Sequence, residues 1–371
     1  MANALGIISF NHPDVYVEGL SDYRPIAAFN FIGRYRFVDF PLSNFSNSGI
    51  DQIQVYINGN PKPLIEHIGR GRQYNINSKR GNLSLVPIYP TKGYTHGMTD
   101  IQTFKGNLHS IMAHNSEYVV ITPPNILYKA NYMELLNQHI ESGADISIMY
   151  QNVDNAKEAY FGCDVLQLNR QKGVLSIEKN LGKYKNRALS MQTYFMSKEV
   201  FNECIEEAEK VSSMYWLKDI ISDFCQTKDV RGMTYRDYVY CVHDLESYYE
   251  ANMVCLEEDR MKAWADPNWP IYTRSNDQAP AIYMDQGNSV GSFISNGAEI
   301  HGTVKNSIVG RSAKIGKGAV IENSIISSDA TIGANAVLKN AIIDKQATVT
   351  KVKDLQGKPK APIYVARREK V

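Results

Sequence analysis

The sequence predicts two folds in series: an α/β domain with a mainly parallel sheet, then a parallel β-helix of hexapeptide repeats. Three observations carry this. Apolar runs alternate with helical patterns over the first ~255 residues, an aliphatic residue recurs about every sixth position from Ile294 to Val349, and a proline-containing aperiodic stretch lies between.

The strand-like runs are Ala4–Ser9, Ile53–Ile57, Tyr118–Thr122 and Ile146–Tyr150. They are mainly apolar along their length, as strands covered on both faces are. Helical patterns follow at Pro63–Ile68, Ile101–His114 and Tyr132–Glu141, then at Lys198–Lys210, Trp216–Cys225 and Leu245–Trp264. The stretch Asp266–Asp285 holds three prolines and reads as a linker. The expected domains are therefore 1–255, a linker over 256–285, and a β-helix over 286–371.

The β-helix rests on two columns. Val309, Ile315, Ile321, Ile326, Ile332, Leu338, Ile343 and Val349 form the aliphatic one. Two positions before each stands Ser307, Ala313, Ala319, Ser324, Ala330, Ala336, Ala341 or Ala347. The aliphatic residue points inward and the small one fits a corner. Ile294 and Ile300 extend the column upstream, across a three-residue insertion. A spacing of six is not a helical period.

Composition narrows the function. The 371 residues suit two or three domains. A hydrophobic share of 43% and a charged share of 21% describe an ordinary globular protein. Forty basic against 39 acidic residues argue against a whole-body nucleic-acid binder and leave anion binding to local clusters. No apolar run nears the ~20 residues of a membrane helix, and no signal peptide is expected. Five widely spaced cysteines suit reduced thiols in a cytoplasm.

Several motifs then converge. The run IGRYRFVDFPLSNFSNSGI (32–50), HIGRGR (67–72), LYKANY (127–132), YFG (160–162), IEK (177–179), LKDII (217–221) and LESYYEAN (245–252) occur in this order. Together they resemble the sugar-nucleotide pyrophosphorylases, specifically the glucose-1-phosphate adenylyltransferase family, over nearly the whole chain. The resemblance implies a Rossmann-like nucleotidyltransferase domain and a left-handed β-helix. It implies the joining of ATP and glucose 1-phosphate into ADP-glucose and pyrophosphate, for glycogen biosynthesis.

This chain departs from the family pattern where that chemistry sits. The glycine-rich phosphate loop is replaced by SFNHPDVYVEGL (9–20), and the GTADA-like loop by Gly106-Asn107-Leu108-His109-Ser110. The lysine position of the RAKP motif is Ile26, which cannot stabilise phosphoryl charge. The resemblance puts the two Mg²⁺-binding aspartates at Asn125 and Cys241, a neutral amide and a thiol. The expected catalytic set is therefore empty, with Ile26, Asn125 and Cys241 as degenerate positions. No metal or tightly bound cofactor is expected, Mg²⁺ being left to a catalytic partner.

What the resemblance leaves intact is binding. Glu178 and Lys179 are implied at the sugar-phosphate pocket, as acceptor for hydroxyls and as phosphate cation. Arg34, Arg36, Arg70 and Arg72, with Arg80, form an anion- or effector-binding set, four of them beside glycines. The bland reading of both groups is solvated charge and interdomain pairing.

The pattern most resembles the GlgD-type, regulatory branch of the family. It implies a hetero-tetramer with a catalytic subunit, a homo-oligomer when alone, and a phosphorylated small-molecule effector. No nucleic acid or membrane partner is expected. Three alternatives stay open: an active enzyme with displaced ligands such as Asp100, Asp244 or Glu246, a standalone sugar-phosphate sensor, and an acyltransferase using His301. His96, His109, His114 and His243 lack metal-ligand spacing.

Overall fold

Runs of Val, Ile and Leu with no polar face can be buried only in a sheet covered on both sides, and the first half of the chain forms one. The computed structural model describes residues 3–9, 15–76, 81–88, 98–275, 277–284 and 286–371. Arg80, His96 and residues 10–14 of the altered loop lie outside the described residues. By packing, the chain divides into two units: Met1–Val15 with Phe40–Tyr240, and Tyr16–Asp39 with Cys241–Val371.

The first unit is built on a nine-stranded sheet. Its strands are β1 (Ala4–Ile8), β2 (Gln52–Asn58), β3 (Asn82–Ile88), β4 (Tyr118–Thr122), β5 (Ile146–Val153), β6 (Asp164–Leu168), β7 (Val174–Lys179), β8 (Arg187–Ser197) and β9 (Val230–Tyr235). The order is β7-β6-β8-β4-β1-β2-β3, with β5 also on β8 and β9 on β5. The block β4-β1-β2-β3 is parallel, as is β5-β9. The long strand β8 runs antiparallel to β4, β5 and β6, and β7 pairs antiparallel with β6.

Helices α1 (Asp39–Asn47), α2 (Lys62–Ile68), α3 (Asp100–Gly106), α4 (Leu108–Ala113), α5 (Tyr132–Ser142), α6 (Lys198–Val211) and α7 (Leu217–Phe224) connect the strands. Leu5, Ile7, Val119, Ile121, Ile146 and Ile148 share one core with Phe104 of α3 and Phe201 and Ile205 of α6. The Phe104 and Phe201 rings sit 5.4 Å apart, edge to face. The single helix expected over Ile101–His114 is two. Gly106 weakens the helix, and Asn107 leaves it (φ −115°, ψ 7°) as its Nδ2 donates to the Thr103 carbonyl at 2.9 Å.

The second unit contains the β-helix. Three parallel ladders begin at Ile282–Tyr283, Asn288–Val290 and Phe293–Ile294 and each stacks five strands. Every residue of both predicted columns from Ser307 to Val349 is buried, as is Ile300, while Ile294 is half-buried. The corners are the left-handed positions, and they repeat by coil. Asn306, Asn323 and Asn340 form one row; Ser312, Asp329 and Gln346 form another. Such corners favour residues with short polar side chains.

The upstream irregularity differs from the expected three-residue insertion. Val304 is an inward residue with Gly302 two positions before it, so the column does not skip. Glu299 pairs with Lys314 fifteen residues on, whereas Lys314 pairs with Thr331 and Thr331 with Thr348, seventeen on. The coil is two residues short.

One wall explains why packing does not follow the expected boundary at 255. In the ladder that starts at Phe293–Ile294, the outward residues are Phe293, Ile308, Ile325, Ile342 and Tyr364. Ile308, Ile325 and Ile342 are nonetheless buried. Residues 16–39 and α8 (Leu245–Val254) cover this apolar wall. Gly19 lies against the Tyr364 ring and Gly33 against Ile308 and Ser295. Tyr249 Oη donates to the Asn323 carbonyl at 2.6 Å. Arg24 forms a buried ion pair with Asp344, which also accepts from Tyr364 Oη at 2.9 Å.

The cover has its own core. Phe29, Phe37 and Tyr248 pack tilted or edge-on with ring centroids about 6 Å apart. Ile32 N donates to Asn252 Oδ1 at 2.9 Å. The helix expected over Leu245–Trp264 is also two, α8 and α9 (Glu258–Trp264). The expected linker thus contains α9 and the first β-helix strand.

Removing a buried aliphatic from the inward column leaves a cavity that a stack of close-packed coils cannot collapse to fill. Ile321→Ala is expected to cost about 3 kcal/mol in chemical denaturation. Lys314→Ala removes only an exposed 3.0 Å pair with Glu299 and is expected to stay within ~0.5 kcal/mol.

Candidate functional site

Open α/β sheets bind ligands beyond the carboxyl ends of their parallel strands, and the first unit has a cleft there. Ser9 follows β1 and Pro123 follows β4; both line a cavity of about 50 Å³ with Asp100, Gln192, Trp216 and Lys218.

Asp100 is partly exposed as a residue, but its carboxyl group is enclosed. Its Oδ1 accepts from Ile101 N at 2.8 Å and from Leu217 N at 2.9 Å, so one oxygen serves the first turns of both α3 and α7. Burial raises its pKa to about 7, against the lowering effect of those two backbone bonds. Thr99 and Gln102 complete a capping box on α3.

The sugar-phosphate candidates fall on β7. Lys179 lies opposite Asp164 in the β7–β6 register. Asp164 is buried and accepts from Lys218 Nζ at 3.1 Å and from Gln192 Nε2 at 2.8 Å. Burial, then the like charge of Lys218, pulls the Lys179 ammonium below its ordinary range. Lys218 is paired with Asp164, and Lys179 carries a second ammonium that feels its charge, with Asp219 acting against it; neighbouring cations suit an incoming anion. Glu178 is engaged separately. It accepts from Gln167 at 3.0 Å and from Arg187 at 3.1 Å, and these bonds, Gln167 first, hold its carboxyl below the usual range.

The degenerate positions are all enclosed. Asn125 is buried in the first unit, three residues after the end of β4. Ile26 is buried in a 3₁₀ turn, Ile26–Ala28, of the second unit. Cys241 is a buried thiol of the second unit, in the short strand Tyr240–Cys241. An amide offers Mg²⁺ one neutral oxygen in place of a charged carboxylate, and a thiol is a poor ligand for it. Asp244, a displaced-ligand candidate, is instead the N-cap of α8, accepting from Ser247 N at 2.7 Å. Glu246 lies in the first turn of that helix.

The four arginines divide. Arg70 and Arg72 are exposed residues of the first unit. Arg36 belongs to the second; its N–H donates to Asp39 at 2.8 Å and its side chain reaches the Ala28 carbonyl at 3.5 Å. Arg34 lines a cavity of about 110 Å³ within the second unit, with Ser275, Phe293, Ser295, Asn296 and Arg311. Sequence reasoning missed Arg311, Ser295, Asp164 and Gln192. Arg311 is a solenoid corner residue, and corners carry no hydrophobic period.

Residues 17–259 match the family model described as Nucleotidyl transferase, and residues 280–356 match GlmU-like, C-terminal hexapeptide. The chain is similar to a glucose-1-phosphate adenylyltransferase of Thermosipho africanus, 32% identical over 325 residues, covering 86% of this chain and 78% of the relative. A Fervidobacterium nodosum protein of the same name is 30% identical over 330 residues, with 86% and 78% covered. One from Clostridium perfringens strain 13 is 30% identical over 296 residues, with 78% and 75% covered. Among the described residues no helix is long and apolar enough to cross a membrane.

Burial makes ionised Asp100 unfavourable in the folded state. Its raised pKa means stability is lost as pH climbs from the unfolded value near 4 to about 7, and stays lost above that. Asp100→Asn keeps an acceptor oxygen without the charge. Its stability relative to the parent is expected to improve by ~2–3 kcal/mol between about pH 5 and pH 8. Thermal melts at the two pH values check this.

Proposed function

This chain belongs to the glucose-1-phosphate adenylyltransferase family, and within it we propose that it is a regulatory subunit with little or no turnover of its own, acting on a catalytic paralogue in glycogen biosynthesis. The carrying observation is the donor set. Where the family resemblance expects metal-binding aspartates, this chain holds a buried amide, Asn125, and a buried thiol, Cys241. Phosphoryl transfer has little covalent chemistry for a protein to perform, so loss of the metal ligands and of the lysine charge at position 26 removes most of the catalysis.

The carboxylates of the cleft do not replace them. Asp100 is committed to two backbone N–H groups, and Asp164 to Lys218 and Gln192. Glu178 and Lys179 stand where the family resemblance expects the sugar-phosphate residues. Lys179 is placed to hold a phosphate with Lys218 beside it, while Glu178, already oriented by Gln167 and Arg187, offers oxygens to sugar hydroxyls. Retained binding with missing metal ligands fits a chain kept for assembly and response.

The rest of the reading follows from that role. The β-helix walls offer flat surfaces for association into a hetero-tetramer. Arg34, Arg36, Arg70 and Arg72 supply positive charge for a phosphorylated effector. Five cysteines outside any disulfide suit a reducing cytoplasm.

The test is pyrophosphate release from ATP and glucose 1-phosphate with Mg²⁺. It is run on this chain, on the catalytic paralogue and on the co-expressed pair. Silence of this chain with a changed rate or effector response in the pair is expected. Turnover by the isolated chain at the rate of the paralogue overturns the reading. Asn125→Asp combined with Ile26→Lys is expected to raise the isolated chain's rate at least tenfold; no gain points to Cys241 as an equal block.

A further inference from the structure

The cleft of the first unit holds an enclosed acid with no cation of its own. Asp100 lines the cavity of about 50 Å³ beside Gln192, Trp216 and Lys218. Its carboxyl group forms no ion pair among the described residues and accepts only from backbone, Ile101 N and Leu217 N. Both bonds go to Oδ1; Oδ2 accepts from none of the described residues. A charged oxygen enclosed in this way is costly, and a proton on it removes the cost.

The other charges of the cleft are fixed. Lys218 and Asp219 of α7 and Tyr194 of β8 interact electrostatically with Asp100, and Lys179 of β7 feels Lys218 and Asp219. On the far side of α3, Glu209 of α6 pairs with Lys105. Asp164 is held as a carboxylate by Lys218 Nζ at 3.1 Å and Gln192 Nε2 at 2.8 Å. Asp219 accepts from Trp216 N at 3.1 Å and acts on the Lys179 ammonium. Tyr194 stays neutral, its hydroxyl pushed well up by burial, then by Asp164, Asp100 and Asp219. Two ammonium groups thus stand among three acids, and an anion entering there meets an excess of negative charge unless one acid is neutral. Asp100 is the acid free to become so, and burial already raises its pKa to about 7.

The structure around Asp100 tolerates the change. Its bond to Leu217 N ties α3 to α7 one residue before Lys218, and Gln102 Nε2 donates to the Ser213 carbonyl at 2.8 Å. The first turn of α3 therefore grips the approach to α7 at two points. That grip uses Oδ1 alone, so a proton on Oδ2 leaves it intact.

We propose that anion binding in this cleft is proton-linked through Asp100: a phosphoryl dianion enters beside Lys218 and Lys179 as Asp100 Oδ2 takes up one proton from solvent and turns from a repelling charge into an O–H donor. This rests on the sugar-phosphate part of the reading above and adds its regulation. Linkage is reciprocal, so protons tighten the anion as the anion tightens the proton, and affinity falls as pH rises.

Glucose 1-phosphate is titrated into the full chain by calorimetry from pH 7 to 8.5 at constant ionic strength, in two buffers of different ionisation enthalpy. Uptake of about half a proton per anion is expected near pH 7.5, and an affinity about five- to tenfold weaker at pH 8.5 than at pH 7. Asp100→Asn keeps an acceptor oxygen for the two backbone groups. It is expected to abolish the uptake and to bind at pH 8.5 at least as tightly as the parent does at pH 7. Lys179→Gln, at an exposed position, is expected to weaken binding at least tenfold, which locates the anion in the cleft. A purely helix-capping Asp100 would instead shift affinity equally at every pH and leave the uptake in place. If Asp100→Asn fails to fold, the uptake by the parent carries the test. No binding, no uptake by the parent, or equal uptake by Asp100→Asn overturns the proposal. Turnover of the co-expressed pair judges the regulatory reading separately, so either can fail while the other stands.

Discussion

The second unit depends on one wall of its solenoid being apolar on the outside. A β-helix normally turns polar side chains outward, yet Ile308, Ile325 and Ile342 face away from the coil interior and are buried. Leaving them in water would forfeit about 1.5–3 kcal/mol each. Residues 16–39 and α8 supply the cover, and their own aromatic residues close the layer. The buried Arg24–Asp344 pair adds direction more than stability, since such pairs roughly break even after desolvation but punish a misaligned partner. It specifies how the covering segment lies on the coils.

That constraint decides where the arginines go. The covering segment carries Arg24, Arg34 and Arg36, and the wall determines which of them is spent on structure. In the first unit a comparable economy governs acids. Asp100 and Asp164 are structural in their hydrogen bonding, so the cleft retains cations more than it retains metal-binding oxygens.

The architecture was legible because it repeats. Each aliphatic and each small position of the β-helix recurs, so the columns are read many times over; β1, β2, β4 and β5 are legible as unbroken apolar runs. The short coil was misread because Val304 follows Ile300 by four residues, and a search for six passes over it. Asn107 and Cys255–Glu257 split helices whose hydrophobic pattern continues across the break. The candidate site was legible only where motif and environment coincide, as at Lys179. The second-unit cavity was not, because Ser295 and Arg311 acquire meaning from residues far away in sequence. The Asp100 carboxylate reads as an N-terminal helix acid, and its bond to Leu217 spans 117 positions.

The short coil bears on how this solenoid finds its register. Coils of seventeen residues with near-identical columns can in principle stack one rung out of step and still bury every aliphatic side chain. A stack that contains one fifteen-residue coil, and a return of twenty-two from Ile342 to Tyr364, has lost that translational symmetry. A slipped stack would set a seventeen-residue loop against a fifteen-residue one and break the corner row at Asn306 or Ser312. The irregular coil, which looks like a defect in the repeat, therefore acts as an index mark that lets only one alignment of rungs close.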